Sequence, residues 1–210
     1  MNKKIIKADK LVGEVSPPPS KSILHRYIIA SSLAKGISKI ENISYSDDIV
    51  ATIEAMKKLG ANIEQKENYL LIDGSDTFKN LNENIEIDCN ESGSTLRFLF
   101  PLSIVEENKV LFKGRGKLFK RPMTPYFENF EKYKIKHSYI DENKILLEEK
   151  LKAGIYEIDG NISSQFITGL LFSLPLLEGE SKIIINGKLE SSNYIDISLD
   201  CLSKFGIKII

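Results

Sequence analysis

The sequence predicts a mixed α/β fold in which one strand–helix–strand–helix–strand–strand unit occurs three times about a pseudo-threefold axis. Three observations predict it. Gly60, Lys134 and Gly206 lie at intervals of 74 and 72 residues, and each closes a helix-like segment: IEAMKKLG, FENFEKYK and SLDCLSKFG. Upstream of each is a second matched stretch, SKSILHRYIIA, SGSTLRFLFPL and SSQFITGLLFS, which opens on small hydroxyl residues and runs through apolar helical turns. A short β-rich run precedes each of these: LVGEVSP, NIEIDCN and GIYEIDG.

Taken in order, the first unit reads as the strand LVGEVSP, a stiff entry through Pro17, Pro18 and Pro19, and a helix starting near Ser22. The strand ISKIENI follows, then a helix whose Asp47 and Asp48 read as capping acids, then the hairpin ANIEQKENYLLIDG. The second unit repeats this with NIEIDCN, a helix near Ser94, the strand KVLFKG and the hairpin IKHSYIDENKILLEE. Its two helices are joined by the basic loop GRGKLFKRP, with Pro122 placed for a first helical turn. The third unit supplies GIYEIDG, a helix near Ser164, SKIIING and the helix SNYIDISLDCL, and then stops at GIKII. That apolar edge is one strand short of a hairpin, so the natural polypeptide is expected to continue beyond it.

Composition narrows the function. Lys plus Arg and Asp plus Glu number 29 each, so no net field draws the chain to nucleic acid or membranes. Two cysteines, Cys89 and Cys201, without a CxxC or a nearby His pair, argue against a disulfide framework or a metal site. Cys89 reads as a small buried hydrophobe at a strand end. The N-terminal residues lack the apolar core of a signal peptide, and TLRFLFPLSIV is too short and too interrupted by Arg97 and Pro101 to span a bilayer. A cytoplasmic protein is expected. His25 and His137 lack Ser, Cys or Asp partners at a telling spacing, so neither is expected to be catalytic.

The chemistry is expected at the helix starts. A helix N-terminus exposes unpaired N–H groups and a partial positive charge, which suit an anion. Taken alone, Ser20, Lys21 and Ser22 with Arg26 one turn on could be an ordinary helix cap with solvated basic residues. The repeat favours a ligand, because Ser92–Gly93–Ser94 and Ser163–Ser164–Gln165 occupy the same place in the other units. Three such termini meeting on an axis would form a phosphate site. Arg115, Lys117, Lys120 and Arg121 could clamp a carboxylate or phosphate, or be a solvated loop; Ser191 and Tyr194 could likewise face a ligand or simply turn and pack.

The motifs SKSILHR, ESGSTLRF, FKRPM, ISSQFITGLL and SSNYIDISLDCLSKFG resemble, in order and spacing, those of the 5-enolpyruvylshikimate-3-phosphate synthases, a family of enolpyruvyl transferases. The resemblance implies one lobe of a two-lobed inside-out α/β barrel. Residues 14–210 would be the shikimate 3-phosphate-binding lobe with its third repeat incomplete, and residues 1–13 a crossover segment belonging with the missing second lobe. It implies that Lys21 is catalytic and touches both substrates. Ser22, Arg26, Ser163, Ser164, Gln165, Ser191 and Tyr194 would hold shikimate 3-phosphate. Gly93, Arg121 and Gln165 would hold phosphoenolpyruvate, and Ser94 and Arg97 would support them. No metal or cofactor is implied. The partners are the two small substrates and the missing C-terminal lobe, which would carry the acid and base carboxylates, so the chain alone is expected to be inactive. Two positions depart from the family pattern: Pro19 replaces a glycine and Glu91 an asparagine.

The reaction implied joins the shikimate 5-hydroxyl to C2 of phosphoenolpyruvate, protonates C3, and then expels phosphate. Two alternatives are a stand-alone anion-binding module and the related UDP-N-acetylglucosamine enolpyruvyl transferase. The motifs SKSILHR and SSQF favour the shikimate enzyme over the latter. The distantly similar RNA-end cyclase fold would need a histidine late in the chain, and none is there.

Overall fold

The computed structural model describes residue 10, residues 12–106 and residues 108–210. The middle unit realises the expected order in full. It runs from β4 (Asn84–Asp88) through α3 (Gly93–Leu102), β5 (Lys109–Lys113), a 3₁₀ turn (Leu118–Lys120) and α4 (Thr124–Lys132) to β6 (Lys136–Asp141) and β7 (Lys144–Glu148). Its sheet has the order β4-β5-β7-β6, with β4 and β5 parallel and the other pairs antiparallel. The first unit comprises α1 (Lys21–Leu33), β1 (Ile37–Glu41), α2 (Asp47–Lys58), β2 (Asn62–Gln65) and β3 (Tyr69–Asp73). Its sheet, β1-β3-β2, repeats the β5-β7-β6 portion of the middle one. The third unit comprises β8 (Ile155–Asp159), α5 (Ser164–Ser173), β9 (Lys182–Asn186) and α6 (Ser192–Lys204), and its parallel pair repeats β4-β5.

Two expected strands are not formed. Residues 12–17 of LVGEVSP make no strand, and Leu11 lies outside the described residues, as do residues 1–9 of the expected crossover segment. Val12 and Val15 are 85% and 93% exposed, and three prolines follow that cannot donate to a ladder. Residues 207–210 likewise form no strand, because a lone strand without a hairpin partner has nothing to pair with.

Local chemistry explains the elements that do form. Strands β3, β4, β7 and β8 alternate buried and outward positions, the period-2 pattern of a sheet covered on one face. The three positions that mark the repeat, Gly60, Lys134 and Gly206, all have positive φ, at 98°, 58° and 81°. Each lies just past a helix, and the next residue donates back into the last turn: Ala61 to Met56, Ile135 to Phe130 and Ile207 to Leu202. This is the left-handed helix stop that glycine adopts most readily, and Lys134 shows a non-glycine held in it.

The helices enclose a polar girdle that carries the pseudo-threefold. Each second helix places one hydroxyl between the first helices of neighbouring units. Thr52 Oγ1 of α2 lies 2.7 Å from His25 Nδ1 on α1 and 2.7 Å from Thr95 Oγ1 on α3. Tyr126 of α4 donates to the carbonyls of Arg97 and Phe166, at 2.7 and 2.9 Å. Ser198 of α6 lies 2.9 Å from Thr168 on α5 and accepts from Arg26 Nε of α1 at 2.7 Å. Beside the girdle, the Tyr126 ring stacks with Phe100 and Phe130, the three centroids 5.8–5.9 Å apart.

Burial of His25, only 2% exposed, pulls its pKa down to about 4; Asp48 partly opposes this shift, and Arg26 and Lys21 add to it. The folded state therefore resists a proton that the unfolded chain accepts below the ordinary value of 6.5. Stability should fall as pH drops through the window from 6.5 to 4, by about 2 kcal/mol between pH 7 and 5 from this group alone. Urea unfolding at the two pH values checks this, with His25→Gln expected to flatten the difference.

Candidate functional site

The helices α1, α3 and α5 are preceded by matching N-cap serines, Ser20, Ser92 and Ser163. Ser92 caps α3 by accepting from the Thr95 amide, and Ser163 accepts from the Gln165 amide. Where these starts converge lies a cavity of about 270 Å³ lined by Ser22, Arg26, Ser94, Phe98, Ser163, Ser164, Gln165, Ser191 and Tyr194. Every residue that the family resemblance assigned to shikimate 3-phosphate is among them except Lys21. Among the described residues no acidic side chain lines it. Ser191 reaches the rim from the N-cap of α6 in a left-handed conformation, φ 59°, and its hydroxyl makes no cap bond with the helix.

Arg26 dominates the electrostatics. It is 2% exposed, and its guanidinium donates to Ser198 Oγ at 2.7 Å, the Ser22 carbonyl at 2.7 Å, the Tyr194 carbonyl at 3.0 Å and Thr168 Oγ1 at 3.2 Å. The Phe98 ring lies beneath it, 5.0 Å from Cζ to centroid. All these partners are neutral, and among the described residues no carboxylate pairs with it. Burial pulls its pKa from 12.5 down to about 10, with Cys201 and Tyr194 opposing the shift. A buried cation held only by neutral groups carries an uncompensated desolvation cost, which an anion at the cavity would offset.

A second cationic corner adjoins it through Gln165. The Gln165 amide donates to Ser94 Oγ at 2.9 Å, and its oxygen accepts from Arg97 Nη1 at 2.8 Å. Burial lowers the pKa of Arg97; Tyr126 opposes that shift and the neighbouring Arg121 charge adds to it. Arg121 lies against Gly93, where an added Cβ would come within 2.6 Å of its Nη1. Glycine at the first position of α3 therefore leaves the room that the guanidinium uses.

Lys21 behaves differently. It does not line the cavity; its side chain is 57% exposed and pairs with Asp48 at 2.7 Å. Asp48 is thus not a plain capping acid: in the first turn of α2, its side chain is engaged by Lys21, and neither Ser46 nor the acids cap the helix through a side chain. Sequence reasoning also missed Phe98, Thr168 and Ser198. The repeat register offered a signal for two of them, because Phe98 and Gly169 align with Arg26, and Thr168 with His25, one helix away.

Residues 5–210 match the family model described as EPSP synthase (3-phosphoshikimate 1-carboxyvinyltransferase). The chain belongs to the EPSP synthase family. A 3-phosphoshikimate 1-carboxyvinyltransferase from Clostridium perfringens is 56% identical over 210 residues, covering 100% of this chain and 49% of its own length. The one from Clostridioides difficile is 51% identical over 211 residues, covering 96% and 48%. The chain thus spans about half the length of these relatives. The fold is shared with an EPSP synthase structure from Acinetobacter baumannii, at TM-score 0.76 and 20% identity, over 94% of this chain and 44% of that one. The pseudo-threefold α/β unit is accordingly the fold of about half of an EPSP synthase. Among the described residues no helix is long and apolar enough to cross a membrane.

Proposed function

We propose that this lobe binds shikimate 3-phosphate in the 270 Å³ cavity and forms one wall of a phosphoenolpyruvate site, within an enzyme that transfers the enolpyruvyl group to the shikimate 5-hydroxyl. The observation that carries the reading is Arg26, a buried guanidinium without a carboxylate partner among the described residues, surrounded by serine hydroxyls and helix N-termini. Ser163, Ser164 and Ser191 supply hydroxyls to the 3-phosphate, and Ser22 and Arg26 take the ring and its carboxylate. Tyr194 borders the ring. Gln165, fixed between Ser94 and Arg97, sits between the two anionic substrates. Arg121 and the Gly93 backbone receive phosphoenolpyruvate, and Lys21, freed from Asp48, reaches both substrates.

Two anions repel one another, so converging cations and helix dipoles are needed to hold C2 of phosphoenolpyruvate against the attacking hydroxyl. Among the described residues the cavity lining has no carboxylate to take the hydroxyl proton or to protonate C3. The acid and base therefore come from outside it, in line with the second lobe that the family resemblance implies. A stand-alone anion-binding module would need no such groups. Mixing the chain with the second half of the Clostridium perfringens relative separates the two readings. Phosphate release that requires both halves and both substrates is expected, and Lys21→Ala should abolish it. Release by the chain alone, or none from a complex that demonstrably forms, would overturn the proposal.

A further inference from the structure

We propose that Glu91 is a positioning residue, whose carboxylate closes the end of the β4–β5 ladder and thereby fixes the basic loop that delivers Arg121. The parallel register of β4 and β5 ends at Asp88 and Lys113. Beyond it the two chains stay zipped: the Cys89 amide donates to the Lys113 carbonyl at 2.8 Å, and the Arg115 amide to the Asn90 carbonyl at 2.7 Å. The next donor, the Lys117 amide, finds no backbone acceptor and is taken by Glu91 Oε1 at 3.2 Å. A side chain thus stands in for the missing rung. Gly116 between them has φ 60°, and a Cβ there would run into both carboxylate oxygens, so the turn and the carboxylate fit each other. Lys117 leads directly into the 3₁₀ turn, where the Arg121 amide donates to the Leu118 carbonyl at 3.2 Å and the guanidinium is aimed at Gly93.

The fold itself does not require this carboxylate. The residue before the N-cap serine is Pro19 in the first unit and Ile162 in the third. The third unit closes the matching turn through backbone alone, with the Glu190 amide donating to the Gly160 carbonyl at 2.8 Å. Glu91 occurs only in the unit whose loop carries Arg115, Lys117, Lys120 and Arg121. It does two opposing things there. Its hydrogen bond orders the loop, and its charge, two residues from Gly93, weakens the pull of that corner on an anion.

The second effect rests on the reading of Arg121 as the phosphoenolpyruvate clamp; the first does not, and the test keeps them apart. Glu91→Gln retains an acceptor without the charge, whereas Glu91→Ala removes both. Limited trypsin digestion at Arg115 and Lys117 should proceed at the wild-type rate in Glu91→Gln and roughly two- to tenfold faster in Glu91→Ala. Equal rates in the wild type and Glu91→Ala would overturn the ordering role. Phosphoenolpyruvate binding at saturating shikimate 3-phosphate should tighten roughly two- to fivefold in Glu91→Gln, and be weaker in Glu91→Ala than in Glu91→Gln. Equal affinities in the two variants would overturn the link to Arg121. If neither the chain nor its complex with the second half of the Clostridium perfringens relative binds phosphoenolpyruvate, the assignment of Arg121 fails, while the digestion still decides the ordering role.

Discussion

Replacing Arg26 by methionine is expected to weaken shikimate 3-phosphate binding roughly 10- to 150-fold, the loss of about 1.5–3 kcal/mol for a charge-assisted contact. The same change should leave folding stability within about 1.5 kcal/mol of the wild type, because methionine fills similar space and a buried, unpaired charge is removed. The groups that lose the guanidinium are not all stranded. Ser198 Oγ still donates to the Tyr194 carbonyl at 2.9 Å and stays 2.9 Å from Thr168 Oγ1. Binding and stability should therefore separate, as they do where a residue is kept for its ligand. Calorimetric titration and urea unfolding of both proteins measure the two sides. A variant that binds as the wild type does would show that the buried cation has another purpose.

The largest effect on stability is expected at Gly169. On α5, a Cβ at this position would strike the Tyr126 hydroxyl, come within 2.5 Å of the Arg97 carbonyl oxygen and within 3.2 Å of Pro101 Cγ. Two of these contacts belong to α3, one to its backbone, which cannot rotate away. Tyr126 cannot move without losing both of its carbonyl acceptors. Gly169→Val should therefore destabilise the chain by about 3 kcal/mol or more, by prising α5 from α3. Gly13→Ala, where nothing lies within 4 Å, is the matched control and should change little. Coincident urea midpoints for Gly169→Val and the wild type would contradict this packing.

Much of this architecture was legible because the repeat wrote it three times. Gly60, Lys134 and Gly206 announced the same helix stop, and all three adopt it. The hydroxyl-rich openings of α1, α3 and α5 announced a shared cavity, and Ser22, Ser94, Ser163, Ser164 and Gln165 line it. What sequence missed was long-range. The β-rich run LVGEVSP read as a strand, yet strand formation needs a partner, and among the described residues 12–17 pair with none. Asp48 looked like a cap because caps are read locally, whereas Lys21, 27 residues away, engages its side chain. Thr168 and Ser198 are ordinary helix residues until tertiary packing brings them to a guanidinium 142 and 172 residues away.

Residue-resolved NMR titration of the chain with shikimate 3-phosphate tests the central claim most directly. The backbone amides of Ser22, Ser163, Ser164, Gln165 and Ser191 and the Arg26 side-chain Nε–H are expected to shift together along one binding curve. The hairpins β2–β3 and β6–β7, away from the cavity, should remain unmoved, and unphosphorylated shikimate should produce far smaller shifts at the three phosphate-facing serines. Shifts confined to exposed lysines, or serine amides that respond equally to shikimate with and without its phosphate, would contradict it.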